Sequence, residues 1–99
     1  MTDQEGRTMQ TPYKMRGLGS EDFALIEEET VRLVEHKRLG TSTTEMNIKD
    51  IVFIDRRPQE EGEILILRRR VGNPMHIGPL DSEVAAAGVG LLESLMETQ

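Results

Sequence analysis

The chain contains no cysteine and no tryptophan. That excludes a disulfide framework and any thiolate-bound zinc site. Aromatic residues amount to only 3%, namely Tyr13, Phe23 and Phe53. Long apolar runs are missing too: none approaches the roughly 18 residues of a membrane span, so no transmembrane segment is expected. The N-terminal stretch lacks the basic-then-apolar pattern of a signal peptide, and a cytoplasmic location is the expectation.

What is present is a chain of 99 residues, 36% apolar and 30% charged, with a formal charge of −6. One domain is the ceiling at this length. Its core must come from Leu, Ile, Val and Met, and so few large side chains make a thin core, for which self-association is a common remedy. The acidity is uneven. Residues 1–35 carry net −4, residues 36–70 net +2 and residues 71–99 net −4. All clustered basic residues therefore fall in the middle third.

Residues 1–12 (MTDQEGRTMQTP) are polar and unpatterned, which predicts a disordered or loosely attached tail ahead of a single domain over 13–99. From Tyr13 onward short segments alternate with turn signals. Tyr13 to Leu18 is a short extended stretch closed by Gly17-Leu18-Gly19-Ser20. Phe23 and Leu25 share one face of the next stretch, with Ile26 on the other. Val31, Leu33 and Glu35 alternate with Arg32, Val34 and His36, as in a half-buried strand. A helix over 21–38 is the rival, because EEETVRLVEHKRL holds good helix formers, but the alternation and the β-branched Thr30 and Val31 favour strand.

The run Thr41 to Met46 is rich in β-branched residues, and Asn47 to Lys49 form a corner. Ile51-Val52-Phe53-Ile54 predicts a strand buried on both faces or at a sandwich seam. Pro58 to Gly62 is a charged hairpin loop. Ile64-Leu65-Ile66-Leu67 is the clearest strand. Met75-His76-Ile77 is the last, ended by Gly78-Pro79. Asp81 or Ser82 then caps a helix whose inward face is Val84, Gly88, Leu91, Leu92 and Leu95. Gly88 and Gly90 suit a close approach of that helix to a sheet, or else simply weaken its middle. The expected fold is mainly β, a small antiparallel β-barrel or sandwich of about seven short strands capped by a C-terminal α-helix.

This order resembles the pleckstrin-homology-like superfold in its small bacterial and GRAM-like forms. The resemblance runs from Tyr13 to Met96. It is carried by YKMRGLGSEDFALIEEETVRLVEHKRLG, TTEMNIKDIVFIDRR, GEILILRRR and DSEVAAAGVGLLESLM, with Ile48, Asp50 and Ile51 at the corner. It implies two near-orthogonal antiparallel sheets and a C-terminal helix, and no reaction. Of the basic pattern of the lipid-binding branch, Lys14-Met15-Arg16 supplies only the second half.

Arg68-Arg69-Arg70 is the most conspicuous cluster. Strand alternation sends Arg68 and Arg70 to one face and Arg69 to the other. With Lys37, Arg38, Arg56 and Arg57 these residues form a candidate anion-binding patch, since guanidinium forks match phosphate and carboxylate. The competing reading is a solvated strand edge neutralised by Glu60, Glu61 and Glu63. Nucleic acid is not expected as a partner: the chain is acidic, and no aromatic lies among the basic residues to stack a base.

His36 and His76 lack metal-ligand spacing. Glu27, Glu28 and Glu29 diverge if they lie on a strand. Ser42, Thr43 and Thr44 have no His–Asp context. Gly17-Leu18-Gly19 is not followed by the Lys and helix of a phosphate loop. The expectation is therefore no cofactor, no metal and no catalysis. Six methionines suit either an adaptable contact surface or gap filling in the core. The leading expectation is a non-catalytic protein–protein interaction module that pairs with a protein partner or with itself as a homo-oligomer. The alternatives are an anionic-ligand or acidic-lipid binding domain using the arginine patch, and a small regulator or inhibitor from a mobile element, suggested by size and charge alone.

Overall fold

The computed structural model describes residues 11–98; the tail expected over 1–12 lies almost wholly outside them. Seven strands and one helix follow in the order β1 Tyr13–Arg16, β2 Phe23–Ile26, β3 Thr30–Lys37, β4 Gly40–Asn47, β5 Ile51–Pro58, β6 Glu63–Arg69, β7 Met75–Leu80 and α1 Ser82–Glu97. A single 3-10 turn, Ile48–Asp50, makes the corner between β4 and β5. Strands β1 to β4 form one antiparallel sheet in sequential order, and β5 to β7 a second. The expected class is thus what forms. Of its two variants the sheets take the open one, since they do not close into a barrel. Residues 21–38 contain β2 and β3, so the rival helix is not adopted.

The pleat sorts the side chains. On β3, Val31 and Leu33 turn inward while Arg32 and Val34 turn outward. On β2 the inward pair is Ala24 and Ile26, with Phe23 and Leu25 together on the opposite face, as the sequence pattern divides them. The small Ala24 sits across from Leu33, so the larger β2 side chains lie half-buried on the outer face. One apolar core joins both sheets to the helix, with Met15, Ile26, Val31, Met46, Ile48, Leu65, Leu67, Ile77, Leu80 and Leu92 almost fully buried. Met15, Met46 and Met75 are core residues, which favours gap filling over surface contact for these three.

The run 51–54 is not buried on both faces. Ile51 is buried, but Val52 is 49% exposed and Phe53 55% exposed, because β5 is an edge strand of the second sheet. A register shift against β6 between Ile51 and Phe53 leaves Val52 unpaired there. β7 also runs further than expected. Gly78 and Pro79 continue the strand, and Leu80 returns to the core at its end. Pro79 still offers its carbonyl, which accepts the Leu18 N–H at 2.9 Å. At the β5–β6 turn Gly62 adopts φ +77°, and an added Cβ would run into the Leu80 carbonyl. That position admits glycine alone.

The helix begins where Asp81 accepts the Glu83 N–H at 2.9 Å, satisfying one of the free first-turn donors. Ala85, Gly88, Leu91 and Leu92 face inward, and α1 packs on β1, β6 and the 48–50 corner. The two helical glycines part company. A Cβ at Gly88 would collide with Met15, whereas one at Gly90 would meet open space. The close approach inferred from sequence therefore belongs to Gly88 only.

Candidate functional site

The seven basic residues singled out in sequence do not assemble into one patch. Lys37 and Arg38 stand at the tip of the β3–β4 hairpin. Arg56, Arg57 and Arg68 lie on β5 and β6, Arg69 ends β6, and Arg70 opens the turn to β7. Arg70 has already left the strand, and its N–H donates to the Asp50 carbonyl at 3.1 Å. The alternation of Arg68 and Arg69 thus holds without Arg70.

Three of these arginines pair with carboxylates within the fold. Arg56 grips Glu63 with both prongs of its fork: Nε donates to Oε1 at 2.7 Å and Nη2 to Oε2 at 2.8 Å. Such a bidentate pair is the strongest geometry available to these groups. It holds the Glu63 carboxyl below the usual carboxylate range and raises the Arg56 guanidinium above its own. Arg57 donates to Asp55 Oδ2 through Nε at 3.2 Å and Nη2 at 3.0 Å, and Arg68 Nη2 reaches the same oxygen at 3.4 Å. The Arg57 hydrogen bonds lead in lowering the Asp55 pKa, with Arg68 contributing less.

Asp55 was not singled out in sequence, yet it organises two arginines. The available signal was parity: Asp55 and Arg57 share a face of β5, and Asp55 lies opposite Ile66, two residues from Arg68 on β6. Of the three acids named as neutralisers, Glu63 takes that role; no ion pair links Glu60 or Glu61 to an arginine among the described residues. Arg69 donates from Nε to the Asn73 carbonyl at 2.7 Å, tying down the β6–β7 turn.

The hairpin tip differs. Lys37 Nζ is 3.8 Å from Glu35 Oε1, a loose exposed pair. Arg38 has no side-chain partner among the described residues. Between the two cations and Gly40 stands Leu39, 97% exposed. Arg38 and Leu39 are the two turn residues before Gly40, which leaves the second side chain in solvent. At the base of this arm, Asp22 Oδ1 accepts the His36 N–H at 2.6 Å, and that bond leads in lowering the Asp22 pKa.

The outer faces of the two sheets contrast. On the first, Lys14 Nζ sits 4.3 Å from the Phe23 ring centroid, a favourable cation–π distance. Arg32 spans Glu27 and Glu45 at 3.5 and 3.1 Å. On the second, Phe53 and Val52 stand exposed beside the Asp55 cluster. A shallow cleft opens between the sheets, bordered by Asp22, Phe23, Glu35 and His76. Among the described residues no charged or polar side chain is buried and no group of three His, Cys, Asp or Glu could hold a metal. No described helix is long and apolar enough to cross a membrane. Comparison with known protein families, curated proteins and solved structures finds no match.

Proposed function

We propose that this chain is a pleckstrin-homology-like, non-catalytic protein–protein interaction module that associates with itself. The observation that supports this reading is the open sandwich. Its two sheets leave β4 and β5, each eight residues long, without a partner on their outer edges among the described residues. Unpaired strand edges are templates for another chain. The exposed Val52 and Phe53 add apolar surface beside one of them. On β5 and β6, by contrast, Arg56, Arg57 and Arg68 are engaged with Glu63 and Asp55. Sedimentation or light scattering across a wide concentration range tests the reading. A mass rising toward twice 11.2 kDa is the expected result, and a strict monomer throughout rejects self-association.

A second reading has its own support at the hairpin tip. Lys37, Arg38 and the fully presented Leu39 combine two cations with one apolar side chain, the pairing an anionic lipid surface attracts. Flotation with vesicles with and without phosphatidylserine tests it. Binding only to the acidic vesicles is the expected result under this reading; equal, negligible binding to both rejects it.

A further inference from the structure

Strand register gathers a group of side chains on the outer face of the second sheet. Ile66 stands at its centre, with Asp55 across from it on β5 and His76 on β7. Arg68 is two residues further along β6 with Phe53 opposite, and Arg57 is two residues beyond Asp55 on β5. Residues two apart on a strand, and residues directly opposed across strands, share a face. Ile66 is 6% exposed, yet it lies outside the core that joins the two sheets to the helix. It is the floor of a surface feature whose rim is polar apart from Phe53.

The charges on this face do not balance. Asp55 Oδ2 accepts from Arg57 Nη2 at 3.0 Å and from Arg68 Nη2 at 3.4 Å. Two guanidiniums thus share one carboxylate, and among the described residues no second acid pairs with either. The acid is the shielded member, its side chain 22% exposed against 55% for Arg57 and 43% for Arg68. Because both forks reach one oxygen, they are close enough for a further carboxylate to span them. His76 is exposed on the other side of Ile66 and has no ion-pair partner among the described residues. The surrounding charges favour the Arg68 end. There Lys49, Arg69 and Arg70 outnumber Asp50, whose carbonyl accepts the Arg70 N–H, and Glu28 and Glu29 lie beyond them in a turn of the first sheet. Glu60 and Glu61 stand past Arg57 at the opposite end.

We infer that Arg57 and Arg68, preset by Asp55 over Ile66, bind a carboxylate side chain on an acidic segment of a partner protein. One surplus positive charge calls for one negative charge. A carboxylate supplies it and leaves the group neutral, whereas a phosphate monoester, at nearly two negative charges, leaves an excess beside Asp55. Guanidinium forks match the planar carboxylate, and a ring N–H of His76 offers a third donor across the Ile66 floor. Phe53, exposed beside Arg68, gives apolar contact to a side chain next to the acid. The segment recognised is therefore one in which Glu or Asp adjoins an apolar residue. This goes beyond the self-association reading and does not use the hairpin tip.

The test is a titration of the nitrogen-15-labelled chain, at fixed low concentration, with the peptide acetyl-Glu-Leu-Glu-Leu-amide and with its Gln counterpart. The expected result is a saturable shift of the Arg57 and Arg68 Nε–H resonances and of the Phe53 and Ile66 amides with the Glu peptide only. Arg68→Gln is expected to weaken that binding by about ten-fold or more, while its other resonances show the fold intact. The double variant Lys37→Gln, Arg38→Gln is expected to bind as the wild type does. Equal shifts with both peptides, no saturable shift with either, or an Arg68→Gln variant that binds unchanged overturns the site. Inorganic phosphate shifting the same resonances at lower concentration than the Glu peptide overturns the carboxylate assignment. The same shifts on raising the protein concentration alone assign the face to a second copy and overturn the partner segment. A chain that binds the peptide while remaining monomeric keeps this inference and rejects self-association.

Discussion

The two glycines of α1 allow the packing to be tested with one substitution made twice. Replacing a helical glycine by alanine in open space stabilises a helix by about 1 kcal/mol, through lower backbone entropy in the unfolded chain. Gly90 is such a position, since an added Cβ meets nothing within 4 Å. Gly88 is not. An added Cβ there lands on the Met15 Sδ, with Cγ and Cε both 3.6 Å away. Met15 is itself 0% exposed, so its side chain must shift within the packed core to make room. Overpacking of this kind costs about 1–3 kcal/mol, which matches or exceeds the propensity gain. Gly90→Ala is therefore expected to be the more stable of the two by about 1–3 kcal/mol. Each kcal/mol moves the melting temperature of a domain this size by about 4–8 °C. Urea and thermal unfolding followed by circular dichroism measure the difference. A Met15→Ala background removes the obstacle, so Gly88→Ala should there behave like Gly90→Ala, and the cycle isolates the coupling. Equal stabilisation by the two alanines in the wild-type background would refute the close approach of α1 to β1.

Acid provides a second test. Asp22, Asp55 and Glu63 all have folded pKa values below their ordinary ones. The stability they contribute is therefore fully present above the unfolded carboxylate range and is lost as pH falls through the lowered values, below about pH 4. Urea midpoints should drop over that window, and Glu63→Gln should show a shallower decline; identical profiles would contradict the Arg56–Glu63 account. A third test contrasts burial. Leu80→Ala, at a site 1% exposed, should cost about 2–5 kcal/mol, while Phe53→Ser should change stability by less than about 0.5 kcal/mol, both read from denaturant unfolding.

Much of the fold was legible because it follows from local rules. Turn residues at Gly17 to Ser20, Pro58 to Gly62 and Gly72 to Pro74 separate the strands, and the alternation of Val31 to Glu35 sets the face of β3. The errors share a cause. Whether Ile51 to Ile54 is buried depends on which strand lies beside it, and β5 has a neighbour on one side only. Alternation separates Phe23 and Leu25 from Ala24 and Ile26 correctly, but which pair faces inward depends on what stands across the core. Gly78-Pro79 looked like a terminator because proline lacks an N–H, yet at a sheet edge no ladder bond is lost. The partners of the candidate arginines are likewise a matter of register. Neighbours in sequence such as Arg56 and Arg57 point to opposite faces, and their partners Glu63 and Asp55 are set by the β5–β6 register.

That register also decides which charges remain available to a partner. A bidentate arginine must surrender both bonds to its carboxylate before it can grip another anion with the same fork, so Arg56 is a poor recruit for an external ligand, and Arg57 and Arg68 share one acid, Asp55. At the tip of the β3–β4 hairpin Lys37 has only a loose contact with Glu35 at 3.8 Å, and Arg38 has no side-chain partner among the described residues. Raising the salt concentration shortens the Debye length to about 3 Å at 1 M. Capture of an anionic vesicle by this tip should therefore vanish over that range, whereas self-association through apolar surface or strand edges should persist. Vesicle binding that survives about 1 M salt would contradict an electrostatic role for Lys37 and Arg38.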